Sequence, residues 1–279
     1  LDINRGSVIK AEAGSLLLES SGKTRLDGEL GLNKGSLSLV ANAINLGEVS
    51  GITDGLSLDN NQLNNFTPNE IILTSRGAVN LYGQIAKADA ISNNLLPIEL
   101  GNLTIDAAGL SGWQNNGKTA LLNAKKLTFS NNADVIGIEG DGTGKLDINA
   151  EQLVLDKGNF QLSGFDKVNL KLSESLLSKN EGQLRALSDL VITTPFASAA
   201  NGAKTTVDVT GHNLVLNQEN QKLAAISQGI SAQLKLIADS VTQDTSLLYK
   251  TGNVTIDALE GDVILGSKAL IDVSGAVIN

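Results

Sequence analysis

The string Gly112-Trp-Gln-Asn-Asn-Gly-Lys-Thr119 holds a glycine, four intervening residues, then Gly-Lys-Thr. That is the pattern of a phosphate-binding loop, whose backbone amides ring the phosphates. In that chemistry Lys118 would meet the terminal phosphates and Thr119 would hold magnesium. The loop must also follow a strand and open a helix, so that the helix amides point at the anion. A strand-like run does end near Ala107, but Ala120, Leu122 and Ala124 alternate as a strand, and no apolar strand ending in Asp follows. A corner rich in Gly and Asn yields the same string. The expectation is a corner, with no cofactor assigned.

Carboxylates are the second candidate. Asp106, Asp147, Asp208, Asp257 and Asp272 each lie between apolar residues in alternating runs. Side chains alternate across a strand, so all five should point outward. Two outward acids in one cleft can run glycoside chemistry. These five recur along the whole chain instead of clustering, and the arginines that would neutralise a uronic acid are only Arg5, Arg25, Arg76 and Arg185. A solvated face is expected. His212, the single histidine, lies in the turn Thr210-Gly-His-Asn and would have to serve any triad or histidine metal site. A solvated turn histidine is the expectation. Trp113 is also alone and either stacks on a sugar or caps an end of the core. No calcium nonapeptide, EF-hand loop or Arg-Gly-Asp occurs. No catalytic, cofactor-binding or metal-ligating residue is assigned, and the chain is not expected to be an enzyme.

The elements that must position these residues are short strands. The 279 residues are 41% hydrophobic but only 3% aromatic, so the core must be layers of Leu, Ile, Val and Ala. Gly35-Ser-Leu-Ser-Leu-Val-Ala, Gly101-Asn-Leu-Thr-Ile-Asp-Ala, Lys145-Leu-Asp-Ile-Asn-Ala and Gly252-Asn-Val-Thr-Ile-Asp-Ala alternate with the period of a strand. Leu103, Ile105, Leu146, Ile148, Val207, Val209, Val254 and Ile256 are expected to point inward. Gly, Asn and Asp fill the gaps, as sharp corners require. Only three Pro occur, in keeping with ladders that need nearly every amide.

The runs return at a drifting interval. Leu81 to Leu103 is 22 positions, Leu103 to Leu127 is 24, Leu127 to Leu146 is 19, Leu146 to Val168 is 22, and Leu234 to Ile256 is 22. Such a period marks a solenoid, in which one unit cannot bury its own face but stacked units can. A leucine-rich repeat would need a fixed Leu and Asn ladder, which is missing. The fold predicted is all-β, a right-handed parallel β-helix with loop or short-helix excursions. It occupies 1–279 as one segment of roughly 12 coils and about 60 Å. Residues 173–187, polar with scattered Leu, are expected outside the column as a loop or short helix. Leu223, Ile226, Ile230, Leu234, Ile237 and Val241 fit a helix, whereas Ala232, Leu234, Leu236 and Ala238 fit a strand. Gly229 would cost that helix about 1 kcal/mol relative to Ala, which favours the strand.

Composition also excludes partners. The net charge is −9 and the 21 Lys and Arg are scattered, so nucleic acid and anionic lipid lack a basic stripe to bind. No run approaches 18 apolar residues, and membrane insertion of this segment is not expected. Cys is absent, which removes disulfides and thiolate metal sites. Met is absent too, and the expectation is a processed product or a piece of something longer.

Leu73-Thr-Ser-Arg-Gly-Ala-Val-Asn-Leu-Tyr-Gly resembles the strand motif of filamentous-haemagglutinin-like large exoproteins, bacterial secreted β-helical adhesins. Leu103-Thr-Ile-Asp-Ala-Ala-Gly-Leu, Gly144-Lys-Leu-Asp-Ile-Asn-Ala-Glu-Gln-Leu-Val-Leu and Gly252-Asn-Val-Thr-Ile-Asp-Ala continue it, over about 35–275. The Asn-Pro-Asn-Gly type signature of the two-partner secretion domain is absent. The resemblance implies a shaft or display segment of a secreted or surface-anchored exoprotein, serving adhesion, biofilm or extracellular filaments. It carries over no catalytic residue. Expected partners are a continuation of the β-helix in the parent chain or end-to-end self-association, with a glycan or cell-surface receptor as a further candidate. The alternative reading is a β-helical carbohydrate-active enzyme or carbohydrate-binding module.

Overall fold

Strands stacked in parallel register carry the chain through most of its length. The computed structural model describes all residues except 33, 67, 90–93, 220–228 and 276–279. A single 22-stranded sheet, parallel in every pairing, dominates, with three two-stranded sheets beside it. This is a parallel β-solenoid. From Gly144 onward the coils run through three flat faces in turn, except that the coil of Lys204–Asn217 has no second-face strand among the described residues, and Phe196–Ala199 pairs directly with Ser246–Leu248. One coil, for example, takes 144–150, then 152–155, then Gly158–Ser163, before Phe165–Ser178 begins the next. We call these the first, second and third faces.

Alternation on each face builds the core. On the second face one inward column descends Leu16, Leu37, Ile71, Leu103, Leu127, Leu153, Leu176, Ala197, Leu247 and Ile271, each in register with the next. Strands about 4.8 Å apart make that column about 43 Å long. The first face stacks Leu122, Ile148, Leu170, Ile192 and Leu216 in the same way. Each residue in these stacks sits between like neighbours, which gives close packing without aromatic plugs. The one stacked phenylalanine pair, Phe129 and Phe160, has ring centroids 4.2 Å apart.

Several expectations need correction. Residues 173–187 are not an excursion. Phe165–Ser178 and Glu181–Ala186 are strands of the column, and Leu176, Leu184 and Ala186 are buried. Most of the polar residues that suggested a loop are outward positions and corners, where Lys179 and Asn180 bond Asp156 one coil away, while Ser175 and Ser178 are buried and hydrogen-bonded to Gln152 and Tyr249. The excursions lie elsewhere. Asn60–Asn65 is a short helix with a capping box between Asp59 and Gln62. Residues 131–143 form an irregular crossing. These detours lengthen some coils, and the column is shorter than the sequence estimate. The strand reading of Ala232 to Ala238 holds, since Gln233–Asp244 is a strand, while Leu223 and Ile226 lie outside the described residues. Val254 and Ile256 are only half-buried, because Asn253–Ala258 is the last strand of its face among the described residues and pairs on one side only, with 233–238. The other six residues expected inward are buried.

Candidate functional site

The phosphate-loop string is a corner between two faces. Gly112 ends in the strand Gly109–Trp113, and Thr119 opens the strand Thr119–Ser130, not a helix. The Lys118 amide donates to the Asn115 carbonyl at 2.8 Å. The Asn115 side chain accepts from the Gly144 amide at 2.9 Å and donates to the Gly164 carbonyl at 3.0 Å. Lys118 itself pairs with Glu48, 70 residues back. Gly117 is required by its positive φ of 69°, with open space beside it, whereas Gly112 is required by packing. A Cβ on Gly112 would meet the Gly164 carbonyl, the Asn115 amide and, at 2.7 Å, the Phe165 ring.

The five carboxylates do point outward, and the structure does not bring them together. Each has a local partner. Asp106 accepts from Asn132, and Asp147 accepts from Asn169 at 2.6 Å. Asp208 accepts from Gln183 at 2.9 Å, and Asp257 pairs with Lys235 at 3.1 Å. Asp272 accepts from Lys250 and Ser274, which hold its carboxyl at about 2, below the ordinary 3.8. Among the described residues no group of three or more His, Asp or Glu could hold a metal ion. His212 follows Gly211 at a corner of the strand Lys204–Asn217. The amides beside it are taken by Asp239 and Asp189.

Trp113 is stacked on Tyr82 of the previous coil, with centroids 6.4 Å apart, and its indole N–H donates to Asn80 at 3.0 Å. It thus lies on the flank of the third face and not at an end of the core. Burial, with nearby Asp141, raises the Tyr82 pKa.

The most built feature of the surface is one that the sequence reading passed over as turn residues: the crossing 131–143. It runs outside the third face, where Gly109–Trp113 already pairs directly with Gly158–Ser163. Hydrogen bonds fasten it along its length. Asn131 donates to the Val135 carbonyl and accepts from the Val135 amide, both at 2.9 Å. Ser111 donates to the Ile138 carbonyl at 2.9 Å, and the Gly140 amide donates to Ser163 at 3.0 Å. The Gly142 amide donates to the Gly112 carbonyl at 3.1 Å. The close approach requires glycine. A Cβ on Gly137 would fall 2.9 Å from the Ala108 methyl and 3.2 Å from that of Ala78.

Between this crossing and the sheet lies a groove of about 300 Å³. Ala78, Ala108 and Gly109 line it alongside outward side chains of the next coils, Gln161, Gln183 and Arg185. Ile136 and Ile138 point to solvent on the outer side, 93% and 77% exposed. The run Glu139-Gly-Asp-Gly-Thr-Gly was the available signal, since three glycines within five residues exceed what one turn needs.

No family model, no curated protein and no solved structure matches the chain. What the structure establishes is a large all-parallel β-sheet architecture of the solenoid type.

Proposed function

We propose that this chain is a structural shaft or display segment of a secreted or cell-surface exoprotein, of the filamentous-haemagglutinin-like adhesin type. The observation that carries the reading is the in-register column from Leu16 to Ile271. Such a column transmits load along its axis through every backbone hydrogen bond of the ladder. The outward acids, spread along the flank and each tied to a neighbour, suit a spacer better than a catalytic cleft.

The last coil adds support. Val263, Ile264, Leu265, Leu270 and Ile271 are 38–57% exposed, an apolar rung whose strands pair on one side only among the described residues. Open edges of this kind accept further strands. Another parallel coil, of the same polypeptide or of a second copy stacked end to end, would extend the faces without a change of geometry.

An in-frame deletion of this segment in the producing cell tests the reading. Antibody raised against the chain should label intact cells or the medium, and the deletion should reduce adhesion while the rest of the polypeptide is still exported. Protein confined to the cell interior, or adhesion unchanged by the deletion, would contradict the reading.

A further inference from the structure

We infer that the free edge of the strand Glu29–Gly31 docks an extended peptide with basic side chains, supplied by a partner polypeptide. A spacer needs no open edge on its flank, so the inference goes beyond the shaft reading and stands or falls separately from it.

The first-face ladder is interrupted early in the column. In the coil from Leu56 to Ser75, the third-face strand Leu56–Asp59 is followed by the helix Asn60–Asn65 and then by the second-face strand Glu70–Ser75. The helix stands where a first-face strand would run. Glu29–Gly31, in the coil before, therefore pairs on one side only, with Val8–Lys10. The Glu29 amide donates to the Ser7 carbonyl at 2.9 Å, and the Ala11 amide donates to the Gly31 carbonyl at 3.0 Å. In a parallel ladder the residue between two such bonds turns its own amide and carbonyl to the opposite edge. That residue is Leu30. It is 9% exposed, and neither group has a protein partner among the described residues. Buried backbone groups are seldom left so, because each costs the free energy of a lost hydrogen bond. The helix supplies a substitute at one position, where the Gln62 side chain donates to the Leu26 carbonyl. Leu30 has no such substitute.

Between this edge and the helix runs a slot of about 580 Å³, lined by 26–31 on one side and by Leu58, Gln62, Asn65 and Phe66 on the other. The strand side is about 20 Å long, the length of a short extended segment. Free backbone groups along a slot of that shape call for strand addition. In continuation of the parallel ladder, the peptide would accept from the Leu30 amide and donate to the Leu30 carbonyl. Its residue opposite Leu30 would turn inward, toward half-buried Phe66. The residues on either side of it would turn outward, beside Glu29. Charge selects those residues. Asp27 and Glu29 are exposed along the slot, and no Lys or Arg lines it. Asp27 pairs with Arg25, while Glu29 makes no ion pair among the described residues. Opposite charges attract across a ladder, so lysine or arginine fits beside Glu29 and an acidic residue does not.

Hydrogen exchange of the whole chain, read by NMR at the Leu30 amide, tests this with the end-blocked peptide Thr-Lys-Val-Lys-Thr as probe. The peptide should bind and slow Leu30 exchange. The same peptide N-methylated at its second lysine cannot donate to the Leu30 carbonyl, and should bind about tenfold more weakly. Thr-Glu-Val-Glu-Thr should also bind more weakly. Glu29→Lys, a change at an exposed position, should leave the thermal melt unchanged and abolish the preference for the lysine peptide. Leu30 exchange indifferent to the lysine peptide would overturn the inference, as would equal binding of the N-methylated peptide or an unaltered preference in Glu29→Lys. Protection of Leu30 that rises with protein concentration in the absence of peptide would assign the edge to a second copy of the chain and overturn it as well.

Discussion

Ile148→Asp should abolish cooperative folding, whereas Asp147→Ala, one residue away, should leave the melt almost unchanged. Ile148 is 2% exposed and sits in register between Leu122 and Leu170 on the first face. A carboxylate there has no cation or donor in the column and must either lose its hydration or push the coils apart. Burying an unpaired charge costs several kcal/mol, against a typical total stability of about 5–15 kcal/mol. The loss should also spread, because each coil is a template for its neighbours. Asp147 points the other way, and its removal forfeits one outward hydrogen bond with Asn169. That is a surface change of about 0.5 kcal/mol. Thermal and urea melts of the two variants provide the check. A reversed order of effects would put the register off by one residue.

Much of this register was legible because alternation needs only the chain itself. Leu103 with Leu127, and Leu146 with Val168, were paired from spacing alone and are in register. Other pairs were not. Leu81 aligns with Gly112 and not with Leu103, and Leu127 belongs to the second face while Leu146 belongs to the first. Leu236, not Leu234, aligns with Ile256. A coil has three faces with the same period-two pattern, so spacing does not say which face a strand joins. Corner and detour lengths decide it, and these depend on contacts between coils. The groove was illegible for the same reason. Its lining residues Ala78, Ala108, Gln161 and Gln183 come from different coils. The glycines of the crossing signal a turn equally well in any sequence.

Gly112→Ala should cost about 3 kcal/mol, the upper end for overpacking by one methyl, whereas Lys118→Ala should cost under about 1 kcal/mol. The two residues share the phosphate-loop string, and the expectation separates its chemistry from its packing. Gly112 is aligned with Leu81 on the third face. Its missing side chain admits the Gly164 carbonyl, the Asn115 amide and the Phe165 ring. Gly140 of the crossing also lies against the Gly112 backbone. A methyl would therefore press on fixed backbone, which gives little. Lys118 makes an ion pair with Glu48 in which both side chains are about 40–46% exposed, and solvent screens such pairs. Urea melts of the two variants, with ATP added in parallel, distinguish the alternatives. A Lys118-dependent stabilisation by ATP, with Gly112→Ala tolerated, would restore the nucleotide reading.

An engineered disulfide reads out the stacking of the coils in this register. The chain contains no cysteine, so an engineered pair has no native competitor. Asn123 and Asn149 are aligned on adjacent coils of the first face and already share a hydrogen bond of 2.8 Å. Lys171 occupies the same position one coil further on. Cα atoms of aligned residues in adjacent parallel strands are about 4.8 Å apart, within disulfide reach, and two coils separate them by roughly 10 Å, beyond it. Under mild oxidation Asn123→Cys with Asn149→Cys should close into an intramolecular disulfide, seen by mass after proteolysis, and Asn123→Cys with Lys171→Cys should not. Closure of the second pair in preference to the first would contradict the stacked register.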